Sequence, residues 1–244
     1  MTDLRSVSVW KINNYYRNSA IGPRGDCGFL FRRVANYVRE YQTIDGSFTA
    51  EYTEKHSRFI ATAFYCESEE EAGEIIAAQK SKYWDARHNV YAYILQNGTA
   101  RFSDDGEPHG TAGMPVLEVI KGSGITNVLI VVTRYFGGIL LGTGGLVRAY
   151  STSARDALCG AKKVLMCACS EFIIDCDYGN YDRLVRLIDD SDGMIQNTDF
   201  TDKVTVNVVF KNIDIDIFLD KLCESFASKI KAVLKNELFF PFIV

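Results

Sequence analysis

Regular spacing of apolar residues begins near Tyr52 and holds to the end of the chain. Arg58 to Tyr65 reads as a strand. Ser68 and Glu71 have capping-box spacing, and Glu69, Glu70 and Glu71 favour the positive end of a helix dipole. Ala72, Ile75, Ile76 and Ala78 then trace a helix face to about Lys82. Asn89 to Leu95 is a strand, Asn97-Gly98 a turn, and Ala100 to Ser103 a strand that can pair back. Thr111 to Lys121 is a short helix with Pro115 in its first turn, closed by Gly122-Ser123-Gly124. Asn127 to Thr133 is apolar on both faces and β-branched, as a central strand is. Thr143 to Cys159 is a long helix.

Beyond Gly160 the order is strand (Lys163 to Asp175), helix (Tyr178 to Asp189), two strands (Met194 to Thr198, Lys203 to Phe210), helix (Ile213 to Ser228) and strand (Ile230 to Phe240). In the second helix Phe218, Leu222 and Phe226 share one face. This β-α-β-β-α-β order is the ferredoxin-like split pattern. The expected class is therefore α+β in two domains, 38–160 and 161–244, preceded by an extension.

Residues 1–37 differ in kind. They lack a sustained period and contain Asn13-Asn14, Gly22-Pro23 and Gly25 as breakers. They carry Arg5, Lys11, Arg17, Arg24, Arg32 and Arg33 against Asp3 and Asp26. The whole chain has a net charge of -4, so the remainder is more acidic still. The extension is expected to be poorly ordered, as a basic arm or as an over-extended reading frame whose natural start lies near Val38.

Composition is that of a globular protein, 47% hydrophobic and 24% charged. No apolar run reaches the length of a membrane-spanning helix. The seven cysteines have no zinc-site spacing. Cys167 and Cys169 would share a strand face. Reduced thiols in a cytoplasmic protein are expected, with no metal and no cofactor.

Two segments carry candidate chemistry. Phe102 to Gly113 packs Asp104, Asp105, Glu107 and His109 between glycines ahead of a helix. These groups could serve acid–base catalysis, or Asp104 and Asp105 could accept backbone N–H groups in a turn. Thr133 to Arg148 follows the central strand and opens a helix. Gly137, Gly138, Gly142, Thr143, Gly144 and Gly145 could bring backbone N–H groups to an anion, with Arg134 and Arg148 supplying charge. Close strand–helix packing would use the same glycines. The loop is neither a Walker loop nor a dinucleotide fingerprint. Because one helix and one strand separate the segments, Arg134 is expected within ion-pair reach of Asp104, Asp105 or Glu107. Arg87 could pair with the acidic loop or with Asp85. Trp84 reads as a packing residue, and Lys55 to Arg58 as a solvated edge.

Lys55-His56-Ser57-Arg58-Phe59-Ile60, Asp85-Ala86-Arg87-His88, the acidic loop and the Val131 to Leu146 segment together resemble the IMPACT/YigZ family. The resemblance implies an N-terminal domain like the second domain of ribosomal protein S5 and a ferredoxin-like C-terminal domain. It implies kinship with eukaryotic proteins that regulate translation through the kinase sensing amino-acid starvation. Two classes of function follow. One is a binding module for RNA, the ribosome or a translation factor, using Arg87, Arg134, Arg148 and the glycine loop. The other is a hydrolase or transferase using Asp104, Asp105, Glu107 and His109 on a phosphate-bearing molecule. A deep pocket of converging carboxylates would favour the second, and an open, arginine-rimmed surface the first.

Overall fold

The computed structural model describes residues 10–11 and 40–243. Trp10–Lys11 forms a short strand, β1. The remaining expectations for residues 1–37, and the start near Val38, lie outside the described residues. The described chain divides into two compact units, Tyr41–Leu165 and Met166–Phe242, both α+β.

The first unit follows β2 (Glu40–Ile44) with β3 (Ser47–Glu54), β4 (Ser57–Tyr65), α1 (Glu69–Lys82), β5 (His88–Ile94), β6 (Ala100–Ser103), α2 (Gly113–Ser123), β7 (Val128–Tyr135) and α3 (Gly142–Gly160). Its antiparallel sheet has the order β3-β4-β7-β5-β6. The buried strand predicted from Asn127 to Thr133 becomes the central β7. Alternation sorts the sheet into two faces. Phe59, Ala61, Val90, Ala92, Ile130 and Val132 are buried on the face where Phe59 meets Tyr150 of α3. Tyr93, Leu129 and Val131 pack with Ala72, Ile75 and Ile76 of α1 on the other. Ser68 caps α1, accepting the Glu71 N–H at 3.1 Å. The return bond differs from a standard capping box: Glu71 accepts from the N–H of Glu67, at 2.8 Å.

β3 has no counterpart in the sequence reading. It is an edge strand, mostly exposed or half-buried, so its residues carry no strong apolar alternation.

The second unit runs β8 (Lys163–Cys176), α4 (Tyr178–Asp189), β9 (Met194–Phe200), β10 (Val204–Lys211), α5 (Ile215–Ser225) and β11 (Ala232–Ile243). The sheet order is β1-β11-β8-β10-β9. The β-α-β-β-α-β succession is as expected. Phe172, Ile174, Val206, Val208 and Phe210 form its core with Leu184, Ile188, Phe218 and Leu222 of the two helices. α5 ends three residues before the predicted Ser228, because Ala227 and Ser228 take positive φ values of 48° and 58° and break the helical path.

Candidate functional site

Near the end of β7, Arg134 stands opposite Phe59 of β4 and His88 of β5, so all three lie on the α3 side of the sheet. α3 adds Tyr150, whose ring meets Phe59 edge-on at 5.2 Å. The acidic loop between β6 and α2 inserts Glu107 into this group. Arg134 Nη1 donates to Glu107 Oε1 at 2.6 Å, and the Tyr150 hydroxyl donates to the same oxygen at 2.8 Å. His88 Nε2 lies 3.9 Å from that oxygen. Arg134 Nη2 reaches Ser57 Oγ at 3.4 Å, while Nε has no hydrogen-bond partner among the described residues. Burial and the adjacent Glu107 carboxylate push the Tyr150 hydroxyl far above its ordinary pKa.

The expected proximity of Arg134 to the acidic loop is thus met, through Glu107. The two aspartates have different work. Asp104 accepts from the backbone N–H groups of Gly110, Ala112 and Gly113 at 2.9, 3.2 and 2.8 Å, covering the start of α2. Asp105 accepts from the Asn89 N–H at 2.6 Å and Lys80 Nζ at 2.7 Å. Lys80 and Asn89 outweigh the effect of burial and hold its carboxyl below the usual range. His109 points outward, its side chain 97% exposed. Glu107 and Arg134 are enclosed by protein. The four acidic-loop residues therefore do not converge on a solvent-open pocket.

The glycine loop divides as well. At Gly137 a Cβ would fall 2.0 Å from the His56 carbonyl carbon, so this glycine serves close packing. Its N–H donates to Ser57 Oγ at 3.2 Å. Gly138 and Gly142 take φ values of 84° and 70°, a region that favours glycine. A Cβ at Gly144 would meet nothing within 4 Å. Gly142, Thr143 and Gly144 form the exposed first turn of α3, and no side chain among the described residues caps it. Arg148 is also exposed.

Arg87 is exposed, and its guanidinium lies 6.0 Å from the Phe136 ring rather than against the acidic loop. Asp85 instead accepts the Tyr135 hydroxyl at 2.8 Å. The expectation that Trp84 packs is overturned, since Trp84 is 82% exposed. It stands where α1 has ended and the chain turns towards β5. Phe136, Ile139 and Leu140 are exposed in the neighbouring loop.

Sequence reading missed Tyr150 and Ser57 as partners of the buried pair. Leu146, Ala149, Tyr150 and Ser153 do follow a helical buried stripe, which locates Tyr150 on the inner face of α3.

The model for the Impact N-terminal domain matches residues 55–158, and that for a domain of unknown function, DUF1949, matches residues 174–229. The IMPACT family member YigZ of Escherichia coli is 35% identical over 174 residues, 70% of this chain and 85% of that protein. An IMPACT family member of Haemophilus influenzae is 35% identical over 202 residues, 79% and 92% of the two chains. A crystal structure described as that of a hypothetical protein aligns with a TM-score of 0.55 and 30% identity, covering 82% of this chain and 99% of its own.

Proposed function

The chain belongs to the IMPACT family, and on that premise we propose that it is a translation-associated protein that binds single-stranded RNA. The binding edge comprises Trp84, Arg87, Phe136 and the first turn of α3. The observation that carries this reading is the exposure of Trp84 and Phe136 with Arg87 held over the Phe136 ring. Sequence-tolerant binding of single strands uses such aromatic faces for base stacking, with cations tracking the phosphates. The uncapped start of α3 offers free N–H groups to a phosphate, and Arg148 adds a cation one turn further along. Arg134 acts from inside, positioning the loop rather than touching the ligand. The net charge of -4 restricts the phosphate footprint to this local patch. The hydrolytic alternative lacks comparable support, because Asp104, Asp105 and Glu107 are each committed to protein groups.

The test is titration of the full chain, in a Trp10→Phe background, with a short unstructured RNA. Trp84 emission should be quenched on binding. Trp84→Ala should weaken binding roughly tenfold, the loss of one stacked base. Arg87→Ala should lower both affinity and its salt dependence. RNA that leaves Trp84 emission unchanged, with affinity indifferent to both substitutions, would refute the reading.

A further inference from the structure

The outer surfaces of α2 and α3 enclose an open groove of about 630 Å³. Met114 and Val119 line one wall, and Val147 and Leu158 the other. Gly122 and Ser151 are small and give the groove its depth. Met114 and Val147 are 38% and 37% exposed. Met114 and Val147 thus keep apolar surface wet on two neighbouring helices, while Leu158 belongs to the core of this unit.

The charge of the groove is one-sided. Arg155 and Lys163 stand at the end where α3 finishes, both exposed. Neither has a carboxylate partner among the described residues. Glu118, the acidic residue in the lining, is already engaged by Lys121 at 2.9 Å. The result is an apolar floor with two uncommitted cations at one end.

We propose that this groove docks an acidic amphipathic helix of a partner protein. At about 1.5 Å per residue, the α3 wall from Val147 to Cys159 is roughly 18 Å long, enough for three turns. Apolar residues of the partner at i, i+3 or i+4 and i+7 would cover Met114, Val119 and Val147. Its carboxylates would face Arg155 and Lys163. The opposing positive charge selects against a basic helix of the same apolar pattern. Cys159, an exposed free thiol in the α3 wall, reports occupancy directly.

The test is selection of helical peptides from a displayed random library on the full chain. The expected peptides carry the apolar spacing together with clustered Asp and Glu. They should protect Cys159 from alkylation, read by peptide mass spectrometry with Cys223 as the reference thiol. The Arg155→Glu, Lys163→Glu double variant, whose fold is checked by its melting curve, should bind them at least tenfold more weakly. Three outcomes overturn the proposal. The selected peptides show no acidic bias or leave Cys159 unprotected. Palmitate protects Cys159 where the peptides do not. Cys159 becomes protected at rising protein concentration alone, which would make a second copy of this chain the occupant. The RNA titration is independent of all three.

Discussion

Arg134 Nη1 lies 2.6 Å from Glu107 Oε1, with 7% and 4% of the two side chains exposed. This pair ties the end of the central strand to the acidic loop and explains why both segments stand where they do. Removing one partner of a buried pair leaves an uncompensated charge and costs about 3–5 kcal/mol. Arg134→Met is therefore expected to destabilise the protein by that amount. Glu107→Leu should do likewise, with the Tyr150 hydroxyl also losing its acceptor. The double variant should recover more than half of the summed loss, because neither charge remains. Urea denaturation of the four proteins measures this cycle, and simple additivity would show that the pair is uncoupled.

The sequence made much of this arrangement legible, for physical reasons. A strand as apolar as Val128–Val132 can only be central, so the glycine loop after it had to emerge at a sheet end. One helix and one strand separate that loop from Glu107, which kept the two segments close. Other features were illegible because different roles use the same letters. An Asp that covers a helix start, as Asp104 does, cannot be told from a catalytic Asp by spacing. Arg134 inside the unit and Arg87 outside it both read as a basic residue at one end of a strand. Trp84 follows the end of α1, where no period indicates which way a side chain points. β3 pairs through its backbone while exposing most of its side chains, and backbone pairing leaves little trace in residue type.

Asp105 carries an expected acid dependence. Its folded pKa is depressed; burial opposes this, but the Lys80 and Asn89 bonds prevail. The folded state therefore favours the carboxylate more than the unfolded chain does. Its contribution is whole above the unfolded value of about 3.9 and is lost as pH falls through the folded value. Asp105→Asn is a clean test, since φ is 43° and Asn tolerates that region. The variant should be less stable by about 1 kcal/mol at pH 7, a partly exposed pair being discounted for screening. The difference should shrink below about pH 4 as the native carboxylate protonates. Thermal melts across this range check it, and a deficit independent of pH would assign the effect to packing.

The glycine loop separates structure from binding at two positions. Gly137→Ala forces a Cβ to 2.0 Å from the His56 carbonyl carbon and 2.4 Å from the Ser57 nitrogen. Both are backbone atoms, so β4 must shift, and a loss of at least about 2–3 kcal/mol is expected. Gly144→Ala meets nothing within 4 Å, and Gly144 lies in a helical turn. Alanine there is expected to raise stability by a few tenths to about 1 kcal/mol through helix propensity. Its methyl group would nevertheless stand beside the free N–H groups of α3. If RNA phosphate approaches that turn, affinity should fall severalfold while the melting temperature rises. Denaturation and RNA anisotropy on the same preparations read the two effects separately. A stabilised Gly144→Ala protein with unaltered RNA affinity and salt slope would remove the α3 start from the binding edge and leave Trp84, Arg87 and Phe136 to account for it.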